Sequence, residues 1–222
     1  MQEFVIIVAG GKGTRMKSEV PKQFLSINGT PVLMHTILAF QKYSAEINII
    51  LVLPEDQFDF WKQLCKEHAF ELNYTLIKGG ETRFHSVKNG LESIKVEDGI
   101  VAVHDGVRPI INREIIQNGF FAAKEFGTAV TCVHLKDSIR FTEQNGSNKA
   151  MERADFRLIQ TPQTFKLKWM RKAFSADYNA AFTDCASVLE AAGYSIHLID
   201  GAYENIKITT PEDLTWAEIL LK

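Results

Sequence analysis

Phe4-Val5-Ile6-Ile7-Val8 runs directly into Ala9-Gly10-Gly11-Lys12-Gly13-Thr14-Arg15-Met16, and Pro21-Lys22-Gln23 follows shortly after. The opening run is short, mostly β-branched and ended by glycines, which predicts a strand. Three glycines within four residues free the chain to take positive φ and to bring its amides close to a ligand. Lys12, Arg15 and Lys22 surround them with positive charge, so an anion is expected there, above all a polyphosphate. Neither familiar phosphate fingerprint fits. A P-loop needs Gly-Lys-Ser/Thr at its end, whereas Lys12 stands between two glycines. A dinucleotide fingerprint needs a small residue where Met16 stands. A tight turn without a ligand would have no use for Arg15 and Lys22.

Working outward, strand-like and helix-like segments alternate. Leu33, Ile37 and Phe40 recur at helical spacing through about Lys42, residues 47–53 form an apolar run stopped by Pro54, and Phe58, Trp61, Leu64, Cys65 and His68 share one helical stripe. That stripe reads as core packing rather than a base-stacking platform. Strands are predicted at 74–77, 100–103 and 129–133, with helices from near Ser86 and over 113–125. The alternation predicts an α/β fold, a Rossmann-like open and mainly parallel sheet with helices on both faces. Ligands of such sheets bind beyond the carboxyl ends of the strands. The glycine loop, residues 79–83 and residues 104–108 all fall there.

Residues 136–160 break the pattern. Ser138-Ile139-Arg140-Phe141-Thr142 alternates like a half-exposed strand, and 143–148 is a turn-forming cluster. We read 136–160 as a protruding arm on a single 1–222 domain. An extension with little core of its own calls for a partner, most simply a second copy of the chain. Later come a helix at 168–176, a helix start at Thr183-Asp184, a strand at 195–199, a short strand over Asn205-Ile206-Lys207-Ile208-Thr209, and a last helix capped by Thr210-Pro211-Glu212-Asp213.

The composition limits function. At 222 residues the chain can bury a sizeable core, and its 45% hydrophobic and 23% charged residues are those of an ordinary globular protein. A formal net charge of -2 argues against a general nucleic-acid binder, so an anion site must be built locally. Cys65, Cys132 and Cys185 are widely spaced, which indicates neither a disulfide framework nor a zinc site. No apolar run reaches the length of a membrane span and no signal peptide is evident, so a cytoplasmic location is expected.

For chemistry, His104-Asp105 closes a strand, with Arg108 three residues on. Asp105 reads as functional and His104 as a packing or hydrogen-bonding residue. Mg²⁺ would accept a carboxylate oxygen of Asp105, but mainly substrate phosphates. No nucleophile elbow or activated cysteine is evident, and phosphoryl-type transfer needs none, since positioning and charge stabilisation do most of the work.

Taken together, Ala9-Gly10-Gly11-x-Gly13-x-Arg15-Met16, Pro21-Lys22-Gln23, Gly79-Gly80-x-x-Arg83-x-x-Ser86-Val87, His104-Asp105-x-x-Arg108-Pro109, Thr161-Pro162-Gln163, Thr183-Asp184 and Asn205-Ile206-Lys207-Ile208-Thr209-x-Pro211-x-Asp213 resemble the 2-C-methyl-D-erythritol 4-phosphate cytidylyltransferases of the non-mevalonate isoprenoid pathway. The resemblance implies attack of the substrate's phosphate oxygen on the α-phosphorus of CTP, releasing pyrophosphate, with Mg²⁺ required. It implies that Arg15 and Lys22 are catalytic, and that Ala9, Gly10, Gly11, Gly13, Gly80, Arg83, Ser86 and Lys207 bind the nucleotide. Asp105 and Arg108 would serve the polyol and the metal-phosphate region. It further implies a homodimer with exchanged arms, each arm lending Ser138 and Arg153 to the neighbour's substrate phosphate. Ser138 stands where the family usually has threonine, and Gly106-Val107 where it usually has two alanines. The form His-Asp-x-Val-Arg-Pro is also similar to the D-ribitol 5-phosphate cytidylyltransferases, the alternative reading. A non-catalytic nucleotide-binding protein of the same fold is a further one, which would be marked by loss of Arg15 or Lys22.

Overall fold

The apolar run that opens the chain is strand β1 (Glu3–Val8), and its side chains go to two different cores. Val5 and Ile7 join Leu33, Ile37, Phe40 and Trp61 on one face, whereas Phe4, Ile6 and Val8 join Phe84, Val87, Leu91 and Met170 on the other. Alternating side chains that are all apolar require a strand covered on both faces. The computed structural model describes residues 1–11, 16 and 20–222.

The chain proceeds through the small hairpin β2 (Ser26–Ile27) and β3 (Thr30–Pro31), then α1 (Val32–Tyr43), β4 (Asn48–Leu53), α2 (Phe58–Glu67), β5 (Thr75–Lys78), α3 (Arg83–Ser93), β6 (Ile100–Asp105), α4 (Arg113–Phe126) and β7 (Thr128–His134). A second hairpin, β8 (Ile139–Thr142) and β9 (Asn148–Met151), precedes β10 (Arg157–Lys166), α5 (Leu167–Phe174), α6 (Cys185–Ala191), β11 (Leu198–Asp200) and α7 (Pro211–Leu220). Among the described residues, seven strands form one sheet in the order β11-β7-β10-β6-β1-β4-β5. β1 pairs in parallel with β4 and β6, β4 with β5, and β7 with β11, while β10 runs antiparallel to both its neighbours. Helices α1, α2 and α4 pack on one face and α3, α5 and α6 on the other.

The mainly parallel sheet agrees with the alternation in the sequence. Helix α3 approaches β1 so closely that a Cβ on Gly90 would lie 2.8 Å from Ile6 Cγ2, which accounts for a glycine inside a helix. Its first residue is Arg83, earlier than expected, because Thr82 caps it by accepting from the His85 amide.

Two expectations are corrected. The stretch around Thr161-Pro162-Gln163-Thr164-Phe165, where the sequence predicts no strand, is the ten-residue strand β10 inserted between β6 and β7. Its buried residues are largely polar, Gln160, Thr161, Gln163 and Thr164, so hydrophobic patterning could not reveal it. The short strand expected over 205–209 is absent: the Ile208 amide donates to the Val107 carbonyl, and the segment joins no sheet. Ile208 and Val107 instead form a third small core with Met16, Ile27, Val32 and Ala217, which ties α7 beneath the sheet edge. The last helix has the expected capping box between Thr210 and Asp213, with Pro211 in its first turn.

Candidate active site

Within the parallel run β6-β1-β4-β5, the strands β1, β5 and β6 each hand their loop to one cleft. After β1, the Ala9 amide donates to the Val52 carbonyl at 3.0 Å, which holds the start of the glycine loop against β4. After β5, the Gly79 amide donates to the Leu53 carbonyl at 2.7 Å and the Gly80 amide to Ser86 Oγ at 3.1 Å. A side chain on Gly80 would collide with His85, so the turn into α3 requires glycine. After β6 comes Asp105. The cleft between them has a volume of about 230 Å³, and its lining includes Ala9, Gly10, Gly11, Lys22, Arg83, Ser86, Asp105 and Lys207.

Asp105 is the electrostatic centre. Lys207 Nζ lies 2.8 Å from its Oδ2, Arg83 Nη2 3.5 Å from its Oδ1 and Arg108 Nε 3.7 Å from its Oδ2. Burial opposes the charged carboxylate, but Arg83, Lys207 and Arg108 outweigh it and hold Asp105 well below the usual carboxylate range. Three cations on one anion leave a net positive patch at the end of β6. Arg83 also donates through Nη1 to the thiol of Cys185 at 3.3 Å, so this cysteine, expected as a core filler, is also a partner of a site residue.

His104, the preceding residue on β6, takes the opposite environment. It is fully buried, lies edge-on to Phe40 at 5.0 Å, and pairs through Nε2 with the Arg108 carbonyl at 3.0 Å. A carbonyl only accepts, so the neutral ring carries its hydrogen on Nε2. Burial lowers its pKa to about 4. The expectation of a packing and hydrogen-bonding residue agrees with this.

Lys22 sits on the far side of the cleft and donates to the Ile208 carbonyl at 3.1 Å, which links the first loop to the C-terminal segment. Arg108 reaches Asp105 but is otherwise turned back into the protein, donating to the Asn205 carbonyl at 2.6 Å, and it does not line the cleft. Ser138 and Arg153 are exposed on or beside the β8–β9 hairpin and line no part of this cleft; Arg153 donates to the Lys136 carbonyl at 2.7 Å. Gly13 and Arg15 lie outside the described residues.

Gln23, Glu81, Thr82 and Val107 also line the cleft but were not singled out as site residues. Gln23 had a visible signal, since it follows Lys22 directly. It is fully buried and donates to the Ala9 carbonyl at 2.9 Å and to Gln57 Oε1 at 2.7 Å, which holds the Lys22 turn against the glycine loop. The change from two alanines to Gly106-Val107 has a packing reason. A Cβ at 106 would stand 2.7 Å from Ala9 Cβ and 3.0 Å from Leu33 Cδ1, while Val107 fills the third core.

For a metal, the described residues contain no cluster of three or more histidine, cysteine or carboxylate side chains. Asp105 and Glu81 are the carboxylates of the lining, and Asp105 already faces three cations. This donor set fits a hard ion held chiefly by substrate phosphates, with at most a carboxylate oxygen from the protein. No helix among the described residues is long and apolar enough to cross a membrane.

Comparison with known proteins agrees with this geometry. The family model for 2-C-methyl-D-erythritol 4-phosphate cytidylyltransferase matches residues 4–222. The protein of that name from Bacteroides thetaiotaomicron is 49% identical over 221 residues, covering 100% of both chains. Among solved structures, the 2-C-methyl-D-erythritol 4-phosphate cytidylyltransferase of Thermus thermophilus superposes with a TM-score of 0.79 at 30% identity, covering 99% of this chain and 98% of that one. The 4-diphosphocytidyl-2C-methyl-D-erythritol synthase of Anaerococcus prevotii superposes with a TM-score of 0.84 at 27% identity, covering 99% and 96%. This chain, with its cationic cleft at the ends of parallel strands, belongs to the 2-C-methyl-D-erythritol 4-phosphate cytidylyltransferase family.

Proposed function

We propose that the cleft transfers a cytidylyl group from CTP to 2-C-methyl-D-erythritol 4-phosphate, giving 4-CDP-2-C-methyl-D-erythritol and pyrophosphate. The observation that carries the reading is the cationic cluster on Asp105, which lines one cleft together with the Gly10-Gly11 loop and Lys22. A phosphate oxygen of the acceptor forms a bond to the α-phosphorus as the bond from that phosphorus to the bridging oxygen of the pyrophosphate breaks. Both reactants are anions, so the first task of the protein is to neutralise them in line. The amides of the glycine loop and Lys22 serve the triphosphate, and Arg15 joins Lys22 in stabilising the charge that builds on the transferring phosphorus and the leaving pyrophosphate. Lys207 reaches the phosphates from the other side. Arg83 and Ser86, beside Gly80, flank the nucleoside, and Asp105 orients the polyol while keeping Arg83, Arg108 and Lys207 gathered.

Mg²⁺ is the cofactor of this reading. Bound mainly through substrate phosphates, with Asp105 as its protein carboxylate, it supplies further charge neutralisation. The chain acts as a single domain over residues 1–222, and residues 136–160 form an arm exchanged in a homodimer. Support comes from the β8–β9 hairpin, which among the described residues forms a two-stranded sheet of its own, and from the exposed Phe141, Leu158 and Ile159 nearby. In that arrangement Ser138 and Arg153 reach the substrate phosphate in the neighbour's site. The three cysteines are free thiols, which suits a reducing cytoplasm.

Pyrophosphate release, coupled to a colour reaction, tests the reading with CTP and each of two polyol phosphates. Turnover with 2-C-methyl-D-erythritol 4-phosphate is expected, and turnover with D-ribitol 5-phosphate alone would overturn it.

A further inference from the structure

Residues 201–208 carry two parts of the site, yet they belong to no strand or helix. Their ends are held by the Gly201 amide on the Cys132 carbonyl and by Ile208 in the third core, and the stretch between is held by a buried side chain. Asn205 is fully buried, and its Nδ2 donates both to the Thr161 carbonyl at 2.8 Å and to Gln160 Oε1 at 3.2 Å. Gln160 in turn donates to the Ala202 carbonyl at 2.8 Å, closing the loop from both ends. The Thr161 carbonyl is available because β10 shifts register against β7 between Ile159 and Gln163, so the peptides there leave the ladder.

Consequences spread from Asn205 to both functional cations. Its own carbonyl accepts from Arg108 Nη1 at 2.6 Å, and two residues later Lys207 reaches Asp105 at 2.8 Å. One residue further, the Ile208 carbonyl accepts from Lys22. We propose that Asn205 is a positioning residue for cytidylyl transfer: by latching residues 201–208 to the irregular part of β10, it fixes Lys207 and Arg108 on Asp105. It touches no reacting atom. An amide suits the task because two acceptors must be met by two N–H groups, which a carboxylate lacks. Burial in a shared network makes the latch stiff, since releasing either bond leaves a buried carbonyl unpaired.

This inference rests on the functional reading of Lys207 and Arg108 above. The test is a double-mutant cycle on kcat/KM for the polyol phosphate, using Asn205→Ala, Lys207→Ala and both together, with CTP affinity and the unfolding transition measured alongside. Asn205→Ala is expected to lower kcat/KM by about 10-fold or more and to weaken CTP binding no more than Lys207→Ala does, and its loss should largely disappear in the Lys207→Ala background. Losses that multiply in the double variant, or wild-type kinetics in a folded Asn205→Ala protein, would overturn the latch. If Asn205→Ala does not fold, Gln160→Ala removes one of the two acceptors and enters the same cycle. A smaller loss that vanishes beside Lys207→Ala supports the latch, whereas a multiplying loss or none overturns it. Should Lys207→Ala and Arg108→Ala both keep full activity, the functional reading fails instead, independently of Asn205.

Discussion

The two flanks of β6 build their parts of the cleft in different ways. On the β1–β4–β5 side, the loops after β1 and β5 line the cleft directly, and the contacts holding them join neighbouring strand ends, as in Ala9 to Val52 and Gly79 to Leu53. On the β10–β7–β11 side, one strand runs the other way, and the site residue Lys207 arrives from a segment without regular structure, held by side chains more than forty residues away in sequence. The first flank depends on local turn chemistry and backbone pairing. The second depends on tertiary polar contacts, so a single buried amide there can matter as much as a whole loop on the other side.

β6 stands between the flanks, and the largest expected effect belongs to its His104. In the unfolded chain this histidine takes up a proton near pH 6.5, whereas in the folded protein burial keeps it neutral down to about pH 4. The unfolded state therefore binds more protons between these values, and stability falls as the pH drops through that window, by about 3 kcal/mol from this group. Asp105 adds to the loss only below the usual carboxylate range, because its stabilisation is present above that range and is lost on further acidification. Urea unfolding at pH 7 and pH 4.5 should show the decline, and His104→Gln should remove most of it. An equal decline in the variant would mean that some other group titrates.

Next comes the nucleotide flank itself. Lys22→Ala should lower turnover by about 10²-fold, the scale for losing one preorganised charge contact to a transition state. Unchanged turnover in steady-state assays would place the triphosphate charge with other residues and weaken the distinction between the flanks. The arm gives a smaller effect. Arg153→Ala should raise the KM for the polyol phosphate by about 10-fold while leaving CTP binding unchanged, in line with one charged hydrogen bond. Mixing Arg153→Ala with Lys22→Ala subunits should restore part of the activity, since one of the two shared sites would then be whole. No recovery in mixed dimers would count against exchanged arms. The smallest effect is Thr82→Ala, which removes the cap of α3 at the cleft and should cost about 1 kcal/mol in chemical unfolding. A much larger loss would show that the β5 side depends on more than local capping.

Much of the first flank was legible before any coordinates. Residues 4–8, 49–53 and 100–103 are continuous apolar runs, the common form of a parallel strand covered on both faces. Gly10, Gly80 and Arg83 stand at strand ends because turns and helix starts demand particular residue types. β10 was hidden because Gln160, Thr161, Gln163 and Thr164 are polar yet buried, with their hydrogen bonds met by distant partners. Asn205 through Thr209 looked like a strand since Ile206 and Ile208 alternate, but that alternation packs Ile208 into the third core instead.

By itself, the sequence determined the fold class and, through its ordered motifs, the family, and it marked Gly10-Gly11 and Asp105 as strand-end residues, which line one cleft. These are local matters: periodicity, turn chemistry and charge are written in adjacent residues. Only the tertiary structure decided that Arg83, Arg108 and Lys207 converge on one carboxylate, that Arg108 turns inward to Asn205, and that a strand running against the others holds the closing segment in place. Apart from Asp105 and Arg108, which stand three residues apart, those arrangements depend on polar groups finding distant partners, and no single stretch of chain contains both halves of such a bond.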